Sequence, residues 1–167
     1  MGHEFELLRE MEPLAFLLGK WEGSTIVYPA SGLGEPERGD IHGEVRAALG
    51  GAWFEWEYFH RPNEAESLVR HARYSFGYSP GLNTLMAVYA DDRGNAFTEY
   101  ASGPDWVDGH LAFHGVMALP GKGSVGFIDD FTRPSAGRFV NTVTMSIDGE
   151  WHLHGKMDVK RVSPGVR

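Results

Sequence analysis

From about residue 20 to the C-terminal basic residues, side-chain character switches at every second position. Turn residues punctuate this alternation at short, steady intervals: Gly50-Gly51, Pro80-Gly81, Asp92-Arg93-Gly94, Asp108-Gly109, Pro120-Gly121, Pro134 to Gly137 and Asp148-Gly149. A period of two belongs to a pleated strand with one buried face. Asp-Gly between two alternating runs is the strongest short-range hairpin signal, and it occurs at 108–109 and again at 148–149. Strands are expected near 20–29, 40–49, 52–60, 68–78, 83–91, 95–103, 109–118, 123–132, 138–147 and 150–161. Ten strands with short turns predict an all-β, antiparallel up-and-down barrel, and closure removes the edges they would otherwise expose. Barrels of about eight strands are filled by side chains or hold one small ligand, so ten strands predict a cavity.

Only the N-terminus carries a helical period. Leu7, Leu8, Met11, Leu14, Ala15, Leu17 and Leu18 follow a rough i, i+3, i+4, i+7 spacing that Pro13 interrupts. The spacing predicts a short helix near Glu4–Met11, a second turn starting at Pro13, and a C-cap at Gly19.

A chain of 167 residues with this pattern fits a single domain over 1–167. The 22 glycines and 9 prolines supply the turns. With no cysteine, disulfides, thiolate metal sites and cysteine nucleophiles are excluded. A formal charge of −8 argues against a nucleic-acid partner, which clustered Lys and Arg would have to hold. No apolar run approaches the roughly 18 residues of a membrane helix, so a soluble, cytoplasmic protein with no membrane partner is expected. Monomer and homodimer are both compatible with the sequence.

Alternation assigns the faces. Phe54, Trp56, Tyr58 and His60 oppose Glu55 and Glu57; Tyr74, Phe76 and Tyr78 oppose His71, Arg73 and Ser75. Leu111, Phe113 and Met117 oppose His110 and His114, and Val125, Phe127, Asp129 and Phe131 share a face. In the last two strands Phe139, Asn141, Val143, Met145 and Ile147 are placed inside, as are Trp151, Leu153, Met157 and Val159. His152 and His154 then point to water. The candidate ligand-binding residues are Trp56, Tyr58, His60, Tyr74, Phe76, Phe113, Asp129, Asn141 and Trp151. They describe an aromatic interior with a few polar points, the usual make-up of a small-molecule site.

Other patterns carry less. His110 with His114 and His152 with His154 supply two imidazoles per face, short of the three or four ligands that zinc takes, so no metal site is expected. Asp91-Asp92 and Asp129-Asp130 are strand neighbours whose side chains diverge, so neither is an acid/base pair. Asp129 alone, among phenylalanines, has the setting of a carboxyl with a raised pKa. Gly121-x-Gly123-x-x-Gly126 matches a dinucleotide fingerprint in letters only, because no helix follows it.

The segment Pro13-Leu-Ala-Phe-Leu-Leu-Gly-Lys-Trp-Glu-Gly23, followed by Tyr28-Pro29, resembles the opening of nitrobindins, haem-binding ten-stranded barrels of the lipocalin and fatty-acid-binding type. Leu49-Gly-Gly51, Phe76-Gly-Tyr78, Tyr89-Ala-Asp-Asp92 and Gly103 to Leu111 are similar to a neighbouring group of lipocalin-like bacterial proteins of unknown function. The resemblance implies a calycin-type barrel over Pro13 to Val162, with Trp21 closing one end. In nitrobindins a last-strand histidine about seven residues before a basic residue binds the haem iron; His154 stands at that interval from Arg161. Gly155 departs from the larger apolar residue of that family.

Three functional readings follow. The first is a cavity, with no cofactor, that binds a small hydrophobic or aromatic molecule. The second is a haem protein with His154 as iron ligand and peroxynitrite-isomerase-like chemistry. The third is a cofactor-free isomerase or cyclase using Asp129 or His60 as acid or base.

Overall fold

The computed structural model describes residues 7–29, 34–63, 69–119, 121 and 123–162. Ten strands follow one another in the chain: β1 Gly19–Val27, β2 Glu37–Ala48, β3 Trp53–Pro62, β4 Arg70–Ser79, β5 Thr84–Asp91, β6 Ala96–Ala101, β7 His110–Leu119, β8 Gly123–Ser135, β9 Arg138–Ile147 and β10 Glu150–Arg161. Each pairs antiparallel with its sequence neighbour, and β1 pairs with β10, so the sheet closes on itself. This is the up-and-down barrel expected from the alternation, with strand ends close to those read from the turns.

The two Asp-Gly turns adopt the backbone they signal. Asp108 and Gly109 have φ of 52° and 81°, and Asp148 and Gly149 have 53° and 87°. Positive φ at both central residues is the type I′ signature, whose twist matches that of the flanking strands. Pro120, half of another expected turn, lies outside the described residues.

The N-terminal segment departs from expectation. Residues 4–6 of the expected helix lie outside the described residues, and Arg9–Leu17 forms one 3-10 helix that runs through Pro13. Proline's fixed φ suits the tighter winding, and Trp106 takes up Pro13's carbonyl through its indole N–H at 2.9 Å. Gly19 is the first residue of β1, with φ of 122°.

This helix stoppers one end of the barrel. Met11, Leu14 and Leu17 are fully buried and join Trp21, Phe54, Phe76, Phe113, Phe131 and Phe139 in the core. Trp21 donates its indole N–H to the Leu17 carbonyl at 2.5 Å. Arg161, at the end of β10, donates to the carbonyls of Phe16 and Leu18, and its guanidinium lies 4.5 Å from the centre of the Trp21 ring. The Trp21–Arg161 pair thereby satisfies carbonyls at the C-terminal end of the helix that the helix cannot satisfy itself.

Glycine makes room for the large rings. A Cβ on Gly43 would stand 2.5 Å from the Glu57 carbonyl oxygen and 2.8 Å from the Trp56 indole nitrogen. A Cβ on Gly115 would stand 2.4 Å from the Phe127 ring.

Candidate functional site

Because the helix and its aromatic core fill one end, the space that ten strands enclose is left at the other. There the barrel holds a cavity of about 680 Å³. Its wall comes from the strand ends remote from the helix: Thr25 and Val27 of β1, Tyr58 and His60 of β3, Tyr74 of β4, Tyr89 of β5, Asp129 of β8, Val143 and Met145 of β9, and His154 to Met157 of β10. Exposed Arg93 and Gly94, in the β5–β6 turn, and exposed Lys156 also line it, so it communicates with solvent.

Strand parity places Asp129 inward between Phe127 and Phe131, and it is only 2% exposed. One of its oxygens accepts the Tyr74 hydroxyl and the other accepts the Asn141 side-chain amide. Burial pushes its pKa up to about 6, against the opposing effect of those two donors. Beyond this cluster the phenols form a chain. The Tyr58 hydroxyl interacts with that of Tyr89, which donates to Asp91 at 3.0 Å. Asp91 also accepts the backbone N–H groups of Arg93 and Asn95, which fixes the β5–β6 turn at the mouth. Burial holds Tyr58 and Tyr74 well above the ordinary phenol range, so both are hydrogen-bond donors at neutral pH.

A carboxyl the alternation argument passed over joins this group. Glu99 of β6 is 0% exposed, and neither of its carboxyl oxygens makes a hydrogen bond. Burial and the charge of Asp129 hold it well above the usual carboxylate range, while the nearby Tyr74 hydroxyl, which gives its bond to Asp129, acts in the other direction. The signal was available: Phe97, Glu99 and Ala101 share one face of β6, and the two ends of that triplet are apolar.

The expected site residues divide into three sets. Tyr58, His60, Tyr74, Asp129 and Asn141 line the cavity together. Trp56, Phe76 and Phe113 face inward but belong to the packed core. Trp151 lies on the outer surface, 56% exposed, and Leu153 beside it is 42% exposed. Both were expected inside.

The cause of that correction is a β-bulge. In the β9–β10 ladder Leu153 pairs with Thr144 and Gly155 with Val143, which leaves His154 as an extra residue with no partner. A single extra residue reverses the parity of everything on one side of it. Met157 and Val159 stay inside, whereas Trp151 and Leu153 turn outward. His154, expected in water, is half-buried on the cavity wall with its Nδ1 buried and unbonded. Its pKa is lowered, chiefly because burial disfavours the imidazolium.

His60 is buried as expected, with its Nδ1 3.8 Å from Glu37, which is itself bridged to Arg70 at 2.6 Å. Its Nε2 sits against the backbone of Gly39, where an added Cβ would approach to 2.4 Å. Three further histidines serve the exterior: His110 pairs with Asp130, His71 with Glu57, and His114 with Ser102. Among the described residues no three His, Asp or Glu side chains are placed to hold a metal ion.

No family model matches the chain, and no curated protein matches it. Among solved structures, that of Rv2717c from M. tuberculosis is similar, with a TM-score of 0.64 over 94% of this chain and 99% of that one. At 12% identity this likeness shows a shared fold. The barrel is thus a recurrent architecture, and what this one does has to be argued from its own cavity.

Proposed function

We propose that the chain binds a small, largely apolar molecule in the barrel cavity. The observation that carries this reading is one cavity of about 680 Å³ whose apolar walls converge on the Tyr74–Asp129–Asn141 cluster. Pockets for small molecules commonly run to about 300–1,000 Å³ and combine apolar lining with a few placed polar groups. A chain that only needed a stable barrel would gain by filling that space, because empty volume forfeits packing energy.

The neutral dye N-phenyl-1-naphthylamine tests it. Fluorescence enhancement on mixing, lost in Met145→Trp and in Val143→Trp, is the expected result, since either indole would occupy the cavity. Enhancement unchanged in both variants would place the dye elsewhere and count against the reading. Native mass spectrometry of the protein as purified would report a retained ligand directly.

A second reading, a haem site, is favoured by the bulge. His154 lines the cavity together with the apolar residues Val143, Met145 and Met157, and its Nδ1 is buried without a hydrogen-bond partner, a donor and lining of the kind an imidazole-ligated haem uses. A bound haem would supply redox-active iron, and the chain's own part would be His154 as ligand and those apolar neighbours as the pocket. Haemin titration should then give a Soret band that His154→Ala abolishes; a band unchanged in the variant would exclude His154.

A further inference from the structure

Resting on the reading that the cavity takes a small molecule, we propose that its ligand carries a protonated nitrogen, an amine or amidine on an apolar body, seated on Asp129 between Tyr74 and Asn141.

Asp129 spends one bond from each oxygen on Tyr74 and Asn141, both neutral donors. A carboxylate has about four acceptor sites, so capacity remains on the side that faces the cavity. What it lacks is a counter-charge. The cations of the lining are Arg70, Arg93 and Lys156, which belong to the mouth. Arg70 is committed to Glu37, and Arg93 and Lys156 are exposed, where water weakens their reach. A buried charge without a partner is costly, and a cation delivered by the ligand would remove that cost.

Glu99 is the independent sign. It is completely buried, its carboxyl makes no hydrogen bond, and it lies within electrostatic reach of Asp129 and Tyr74. A second carboxyl in this setting makes the inner cavity more negative whenever its proton leaves. An anionic ligand group would meet repulsion here, and a purely apolar one would leave the Asp129 charge without a counter-charge. Rings complete the fit: Tyr74 is stacked on Phe76 and lies edge-to-face with Tyr89 and Phe97, and aromatic faces attract cations.

Proton and ligand would compete for Asp129. The groups that face it are Tyr58 on β3, Tyr74 on β4, Glu99 on β6 and Asn141 on β9, while Asp130, on the outer face of β8, acts on it only through its charge. With Asp129 titrating near 6, amine affinity should fall with each pH unit below 6.

Three indoles with one body and different heads make the test: tryptamine, tryptophol and indole-3-propionate, each displacing N-phenyl-1-naphthylamine. At pH 8 tryptamine should displace at about tenfold lower concentration than tryptophol, with the propionate weakest. The gap should close at pH 5 and in Asp129→Asn, each read against the variant's own dye affinity. Should Asp129→Asn fail to fold, the pH comparison on the native chain decides. Equal displacement by amine and alcohol, a preference for the propionate, or an amine preference that survives at pH 5 would overturn the proposal while leaving cavity binding intact. A dye that does not enter the cavity would remove both.

Discussion

The Tyr74 hydroxyl donates to the carboxylate of Asp129, joining β4 to β8 across the barrel interior. Tyr74→Phe keeps the ring and removes that donor, leaving a buried carboxylate with Asn141 alone. A loss of about 1–3 kcal/mol is expected from a group left short of a hydrogen bond, read as a lower urea midpoint at pH 8 with an unchanged slope. The loss should shrink at pH 5, where Asp129 is protonated and needs less. A variant as stable as the parent at pH 8 would mean that the hydroxyl contributes nothing to holding the charge.

Glu99 gives stability a pH dependence of defined sign. Its folded pKa lies above its unfolded one, so folding takes up a proton, and stability falls as pH rises above the unfolded value near 4.5. Glutamine mimics the protonated acid without that penalty. Glu99→Gln should therefore unfold at higher urea than the parent at pH 8, and the two should converge towards pH 4. Parallel curves from pH 4 to 8 would show that Glu99 keeps its ordinary pKa in the folded barrel.

Arg161 and Gly43 test the packing around the core. Arg161→Ala removes two charge-assisted hydrogen bonds to the helix carbonyls of Phe16 and Leu18 and uncovers Trp21. A loss of about 2–4 kcal/mol follows if each bond to a charged group contributes roughly 1.5–3 and water replaces part of it. Gly43→Ala would force a methyl against the Glu57 carbonyl and the side chains of Tyr58 and Trp56 on β3, and overpacking of this kind costs about 1–3 kcal/mol. Thermal unfolding of the two variants measures both; an alanine tolerated at Gly43 would show that β2 and β3 can part without cost.

Much of this architecture was legible because two physical signals agree along most of the chain. Type I′ turns demand positive φ, which Asp-Gly supplies, and one buried face per strand demands alternation. On β3, β4, β7, β8 and β9 the alternation placed the inner residues correctly, Asp129 and Asn141 among them. Two features escaped for opposite reasons. Glu99 sits on a strand of six residues, too short for its period to stand out against a charged side chain. The bulge at His154 lay inside a strand whose letters alternate well, and only Gly155, a glycine in a strand interior, marked it.

The bulge makes a prediction that runs against the usual effect of shortening a strand. Removing one residue from a regular strand turns every side chain beyond it to the wrong face. Here Leu153 already points outward opposite Thr144, and Gly155 inward opposite Val143. Deleting His154 would make those two residues neighbours in regular alternation and move no other side chain across the sheet. The backbone bond from the Tyr28 N–H to the His154 carbonyl, 2.7 Å, would pass to Leu153. The deletion should therefore fold with stability within about 1 kcal/mol of the parent, a shift typical of sites away from the core. His154→Ala should retain the bulge and be equally stable. Urea unfolding of the three proteins decides the matter. A deletion variant that loses more than about 3 kcal/mol while His154→Ala does not would show that the bulge itself, through its twist at the start of β10, is needed to close the barrel against β1.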